Sequence, residues 1–315
     1  MPTSSFIQCD VFTDHVFDGN PLAVFPDGRG IDEATMQKIA REMNLSETVF
    51  VLPPTDETKA LRRLRIFTPS TELPMAGHPV VGTWNMLARE GVVAPPASGT
   101  GRVTIEQELK VGLLPVEIEF AAGVPVKVVM TQPPPRIGQP LEIAEATAHA
   151  LSLATSDLGF EGLPLVVAVT GLPYLIVPVS SRAALSRMKV NGPALGELLQ
   201  QVDAHGLYAV TREADSPEAL VSTRMFFDSP LGVGEDPATG SAAGPLAAAL
   251  VHYGVAKPSG GIARFVIEQG VDLGRPSRIE AEVEGEPGAV RRVRIGGSAV
   301  VVLKGEISWG EARNK

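Results

Sequence analysis

The chain is poor in cysteine. Its single thiol, Cys9, excludes an intrachain disulfide framework and any chemistry that needs two thiols of one chain. It is also short of basic residues: 27 Lys and Arg stand against 36 Asp and Glu, a net charge of −9. That balance argues against a general nucleic-acid binder while leaving room for a local basic pocket. No basic segment followed by an apolar stretch stands at Met1–Phe6, so no secretory signal is expected there. Long apolar runs are missing too. The most apolar window, Leu163 to Val179, is interrupted by Pro164, Gly171, Pro173 and Pro178, and reads as two buried strands rather than a bilayer span. A soluble, cytoplasmic protein with neither nucleic acid nor membrane as partner is the expectation.

At 315 residues the chain is about twice the usual domain size, which favours two domains. It can bury roughly three quarters of its unfolded surface and needs no staple to fold. Hydrophobic residues at 44% and charged residues at 20% fit an ordinary globular protein and exclude disorder. Gly and Pro are scattered between apolar runs, which predicts many short elements joined by tight turns. A helix is expected from Asp32 to Met43, capped by Asp32, with Met36, Ile39, Ala40 and Met43 on one face. Strands are expected at Phe6–Phe12, Leu22–Phe25, Thr48–Leu52, Leu64–Thr68, Val103–Glu106, Leu113–Phe120 and Val126–Thr131. A second helix starts after Gly77-His78-Pro79 and runs to about Glu90, ending at Gly91.

The second half replays the first. Gly19-Asn20-Pro21-Leu22-Ala23-Val24 is echoed by Gly171-Leu172-Pro173-Tyr174-Leu175-Ile176, and the Met36–Met43 helix by Pro193–Gln201. Val49-Phe50-Val51 is echoed by Tyr208-Ala209-Val210, and Arg65-Ile66-Phe67-Thr68 by Arg224-Met225-Phe226-Phe227. Gly77-His78-Pro79-Val80-Val81-Gly82 is echoed by Thr239-Gly240-Ser241-Ala242-Ala243-Gly244. Five echoes in one order imply an internal duplication: two similar α+β domains, 1–123 and 124–303. Clefts between domains are preferred ligand sites, so polar differences between the copies are informative. At Glu47 the second copy has Gly206, at His78 it has Gly240, and before its long helix it alone offers Glu235-Asp236-Pro237.

Each of these residues has a plain structural reading beside the chemical one. A glutamate in Asn44-Leu45-Ser46-Glu47-Thr48 can be a solvated connector, and His78 can simply cap a helix. A helix start is, however, a natural anion site, and a histidine there can donate or shuttle a proton near neutral pH. His15, His149, His205 and His252 show no ligand-like spacing, so no metal is expected. The stretch Gly232–Ala242 lacks the lysine of a phosphate loop and the spacing of a dinucleotide fingerprint, and Ser241 lacks the frame of a hydrolase elbow. What remains is a glycine turn that opens an apolar helix and can hold a carboxylate.

Asp10-Val11-Phe12-Thr13, Gly19-Asn20-Pro21-Leu22-Ala23-Val24, Asn44-Leu45-Ser46-Glu47-Thr48, Phe67-Thr68-Pro69, Gly77-His78-Pro79 and Asp236-Pro237-Ala238-Thr239-Gly240-Ser241-Ala242 together resemble the phenazine-biosynthesis PhzF-like family. The resemblance implies the diaminopimelate-epimerase fold: two similar α+β domains related by a pseudo-twofold axis, each wrapping a mostly antiparallel sheet around a central helix. The helices after His78 and Ser241 would be those central helices, and a strand near Gly305–Trp309 would return to the first domain, so that 304–315 completes it.

The family's best-understood activity is isomerisation of trans-2,3-dihydro-3-hydroxyanthranilate without a cofactor. Carried over by motif, Glu47 takes a proton from one substrate carbon and returns it to another. His78 and Asp236 would hold and polarise the substrate and assist proton movement. The Gly77, Gly240 and Ser241 amides and the Ser46 and Ser241 hydroxyls would bind its carboxylate. A glutamate in a closed cleft near negative charge would have its pKa raised toward working pH, as such a base requires. The expected partners are thus a small carboxylated substrate and, as assembly, a second copy in a homodimer. The two-cysteine racemisation of related epimerases is excluded, because Cys9 lies in the first strand. The rival readings are a single-base epimerase or racemase, and a non-catalytic binding or regulatory protein that kept the pocket.

Overall fold

The computed structural model describes residues 1–228 and 233–310, so Gly232 of the glycine-rich stretch and the end of the expected return segment, 311–315, lie outside the described residues. The chain forms two compact units, Met1–Met130 with Gly296–Lys315, and Thr131–Ile295. The sequence reading sets the boundary near Gly123. There the chain makes a tight turn between two paired strands, with Ala122 at φ 50° and Gly123 at φ 80°, and the first unit runs on to Met130.

In the first unit, β1 (Thr3–Val11) pairs antiparallel with β2 (Asn20–Phe25) and with the last strand of the chain, Ala299–Ser308. α1 (Glu33–Met43) carries the chain to β3 (Glu47–Leu52), which is parallel to β2, as a helical crossover requires. β4 (Arg62–Phe67) is antiparallel to β3, and the short β5 (Glu72–Leu73) is antiparallel to β4. α2 (Gly77–Arg89) then crosses to β6 (Gly101–Leu109), parallel to β4. β7 (Gly112–Ala121) and β8 (Val124–Thr131) follow as antiparallel hairpins.

The two helices differ because their sequences differ. α1 is two-sided. Asp32 accepts a hydrogen bond from the Thr35 amide at its start, and Met36, Ile39 and Ala40 cover the stacked rings of Phe25 and Phe50. α2 is buried from Gly77 to Ala88, so it forms the centre of the unit rather than its cover. Gly82 permits that approach: a Cβ there would fall 2.6 Å from Val11 Cγ2 and 2.7 Å from Leu22 Cδ2.

The second unit contains β9 (Arg136–Ile137), α3 (Ala144–Leu151), β10 (Val166–Val169), β11 (Pro173–Pro178), α4 (Arg182–Ser186) and α5 (Gly192–Gln201). It continues through β12 (Gly206–Thr211), β13 (Ala219–Phe227), β14 (Gly234–Asp236), α6 (Gly240–His252), β15 (Ile262–Gln269), β16 (Ser277–Glu286) and β17 (Ala289–Gly297). β11 and β12 are parallel, β12 and β13 antiparallel, β13 and β14 antiparallel, β13 and β15 parallel, and β15 and β16 antiparallel. Pair for pair this repeats β2–β3, β3–β4, β4–β5, β4–β6 and β6–β7. Both units are mostly antiparallel α+β sheets around a buried central helix, α2 in one and α6 in the other. Among the described residues no helix is long and apolar enough to cross a membrane.

Registers align the copies residue by residue and correct the sequence reading at two points. The central helices both have 13 residues and start at Gly77 and Gly240, so the counterpart of His78 is Ser241 and not Gly240. Glu72 faces Phe67 as Glu235 faces Phe226, so Glu235 is shared by both copies; what the second adds is Asp236, where the first has Leu73. Asp236 also ends a strand, not a loop.

Candidate active site

The first unit brings Glu47 and His78 together. Glu47 opens β3, directly after the half-buried Ser46, and the parallel register sets it beside Leu22 of β2. His78 lies in the first turn of α2, only 4% exposed, with Nε2 3.0 Å from Glu47 Oε2. On its other side the Asn20 amide group lies 3.3 Å from His78 Nδ1. An amide NH2 only donates, so Nδ1 accepts and the ring proton sits on Nε2, facing the glutamate. Nε2 thus stands at hydrogen-bond distance from the carboxylate.

Burial lowers the His78 pKa to about 3, so the imidazole is neutral at working pH. Of the two roles open to a histidine at a helix start, this direction favours the N–H donor. The same burial has a consequence for stability. The unfolded chain binds a proton at His78 near pH 6.5, and the folded chain resists it until about pH 3. Stability from this group is thus complete above pH 6.5 and falls as pH drops toward 3, by about 2 kcal/mol between pH 7 and pH 5. His205, also lowered by burial, acts in the same direction. Urea melts from pH 7 to pH 5 should show this decline, and His78→Gln should flatten most of it. An unchanged slope in the variant would mean that His78 is protonated in the folded chain.

In the second unit, Asp236 ends β14 opposite Met225 and accepts a hydrogen bond from the Thr239 hydroxyl. Gln269 fastens this turn. Its amide group donates to the Asp236 carbonyl at 2.7 Å and to Thr239 Oγ1 at 3.0 Å. Its Oε1 accepts from the Thr239 amide at 3.1 Å and the Tyr208 hydroxyl at 2.7 Å. Burial pushes the Tyr208 phenol up, and nearby Asp236 adds to this, so Tyr208 stays a neutral donor. One turn on, Ser241 Oγ lies 2.8 Å from the Tyr174 hydroxyl. The Gln132 amide donates to the Gly240 carbonyl at 2.8 Å. Gly244 makes room for it, since a Cβ there would fall 1.8 Å from Gln132 Oε1.

Neither central helix is capped by a side chain at its start: Ala76 has none to offer, and the Thr239 hydroxyl is turned to Asp236. The first-turn amides of both helices thus carry positive helix-end character suited to an anion. Of the residues singled out in the sequence, the first unit places Glu47 and His78 in contact, with Ser46 and Gly77 next to them in the chain, and the second places Asp236 shortly before Gly240 and Ser241 at the start of α6. Sequence reasoning missed their neighbours Asn20, Thr239, Gln269 and Tyr174. Asn20 carried a signal, being inside Gly19-Asn20-Pro21, whereas Gln269 lies 30 positions from its partner Thr239 with no local mark. Cys9 is wholly buried in β1, and burial pushes its thiol up, so it is no nucleophile. Among the described residues no three His, Cys, Asp or Glu side chains are grouped as a metal site needs.

Comparison with known proteins converges on one family. The phenazine biosynthesis-like protein family, PhzC-PhzF, matches residues 9–305. An uncharacterized isomerase of Mesorhizobium japonicum is 38% identical over 313 residues, 98% of this chain and 99% of that protein. The trans-2,3-dihydro-3-hydroxyanthranilate isomerase of Pseudomonas chlororaphis is 37% identical over 305 residues, 96% of this chain and 98% of that protein. The crystal structure of a PhzF-family phenazine biosynthesis protein from Bacillus anthracis superposes with a TM-score of 0.86 at 29% identity, over 98% of this chain and 100% of that one.

Proposed function

Since the chain belongs to the phenazine biosynthesis-like family and is an isomerase of that type, we propose that it moves a proton between two carbons of a small cyclic carboxylate related to trans-2,3-dihydro-3-hydroxyanthranilate. Glu47 is the single base. Its carboxylate takes the proton as the C–H bond breaks, the electron pair moves into a migrating C=C bond, and the same proton returns at the second carbon. No redox equivalent or net proton is consumed, so no cofactor is called for. Neutral His78 donates through Nε2–H to a substrate oxygen or nitrogen, and Asp236 holds the opposite polar group. The Ser46 and Ser241 hydroxyls and the Gly77, Gly240 and Ser241 amides hold the carboxylate, where helix ends favour negative charge.

This reading requires these two sets of residues to serve one substrate in a cleft between the units. The observation that carries it is the contact between the Glu47 carboxylate and a buried histidine whose tautomer Asn20 fixes. That contact supports reading Glu47 as a placed base and not a solvated connector. The test is solvent-deuterium incorporation followed by NMR on trans-2,3-dihydro-3-hydroxyanthranilate and related acids. Deuterium at a new carbon, with a shifted double bond, is the expected result. Deuterium returning to the carbon it left identifies an epimerase, and no exchange with any carboxylate sinks the enzymatic reading.

A further inference from the structure

The repeat allows each member of the Glu47–His78 pair to be read in the second unit. Leu22 stands beside Glu47 across β2 and β3, and Tyr174 stands beside Gly206 across β11 and β12. His78 and Ser241 hold the same place in their helices. The second unit therefore sets a Tyr174–Ser241 hydroxyl pair at 2.8 Å where the first sets a carboxylate–imidazole contact at 3.0 Å. The substitution of Gly206 for Glu47 makes room for it. A Cβ at Gly206 would lie 3.3 Å from Tyr174 Cε1 and 2.9 Å from the Phe226 carbonyl oxygen. Tyr174 is 1% exposed, and its ring packs edge-on against His205 at 5.8 Å, so the phenol is held in place from the side as well.

We propose that Tyr174 is a positioning residue that orients Ser241 toward the substrate carboxylate. A phenol is a stronger hydrogen-bond donor and a weaker acceptor than an aliphatic hydroxyl, so Tyr174 donates to Ser241 Oγ. The Ser241 proton is then turned outward, and a hydroxyl that accepts one hydrogen bond donates the next more strongly. Loss of the phenol hydroxyl leaves Ser241 free to rotate and to point its proton elsewhere. The inference rests on Ser241 binding the carboxylate, as proposed above.

The experiment uses the full chain and anthranilate, an unreactive ring carboxylate, as the probe at up to tens of millimolar. Binding is read by calorimetry or NMR for the unaltered chain, Tyr174→Phe, Ser241→Ala and the double variant, with thermal melting alongside. Tyr174→Phe keeps the ring and should weaken binding roughly three- to tenfold, the span of one hydrogen bond. Ser241→Ala should weaken it at least as much, and the double variant should match Ser241→Ala alone. On a turned-over substrate, Tyr174→Phe should raise KM by a similar factor with kcat changed less than about twofold, a split that a general loss of folding does not produce. Unchanged anthranilate affinity in Tyr174→Phe, or losses that multiply in the double variant, overturns the positioning role while leaving Ser241 in place. Unchanged affinity in Ser241→Ala, or no binding by the unaltered chain, overturns the carboxylate assignment and this inference with it.

Discussion

Glu47→Gln is expected to abolish nearly all turnover while leaving the fold and substrate affinity close to those of the unaltered chain. The change keeps the length and hydrogen-bonding reach of the side chain but deletes the basic site. General base catalysis commonly supplies ~10²–10⁴-fold in rate, and a relay through one residue has no fallback, so the loss should sit at or beyond the upper end. Fold should survive because glutamine is neutral and of the same size and the neighbouring His78 is neutral, so no charge is left stranded. No ion pair with His78 is therefore broken. Steady-state turnover and solvent-deuterium exchange on the same substrate are the measurements. A fully active Glu47→Gln enzyme would move the role elsewhere. Its heir would be Asp236, because an imidazole that stays neutral down to about pH 3 is too weak a base to serve.

Much of this architecture is visible in the sequence because it is written locally. Asp32 as a cap, the Met36–Ile39–Ala40 stripe and the alternating apolar runs place α1 and the first strands within a few residues. The duplication is visible because both copies keep their apolar strands. The one-residue slip at the central helices has a physical cause. Gly82 and Gly244 look equivalent, yet Gly82 meets Val11 and Leu22, whereas Gly244 meets the Gln132 amide. The small residue is thus displaced by one position, and matching glycines misaligns the helices. Glu47, His78 and Asp236 stand out because the repeat breaks at them. Their supports do not, since Asn20 is 58 positions from His78 and Gln269 is 33 from Asp236, and only the fold joins them. Glu235 has a local signal, since Glu72-Leu73-Pro74 precedes Gly77 as Glu235-Asp236-Pro237 precedes Gly240; what only the fold reveals is its partner, Arg224, across the hairpin.

That partner provides the second large effect. Arg224 Nε and Nη2 both donate to the Glu235 carboxylate at 2.7 Å, and its Nη1 donates to the carbonyl of Leu185, near the end of α4, at 3.0 Å. The guanidinium also lies 4.9 Å from the Phe226 ring centre. The first unit builds the same device: Arg65 holds Glu72 through Nε at 2.8 Å and Nη2 at 2.9 Å, with its guanidinium 5.1 Å from the Phe67 ring. Both pairs pin the short strand that feeds the central helix, β5 before His78 and β14 at Asp236. Arg224 and Glu235 side chains are only 10% and 15% exposed, so removing one leaves the other charge buried alone. Arg224→Met is therefore expected to cost about 3–5 kcal/mol in urea unfolding, the range for a broken buried pair. Glu235→Gln keeps an acceptor and should cost less, and Arg224→Met with Glu235→Leu should recover most of the loss, because two apolar side chains fill the space without a stranded charge. A mild Arg224→Met with no recovery in the double variant would show that the pair is hydrated and that β14 is held by the Gln269 bonds instead. In that case Asp236 would keep its place without Arg224, and activity in Arg224→Met would track the unaltered chain.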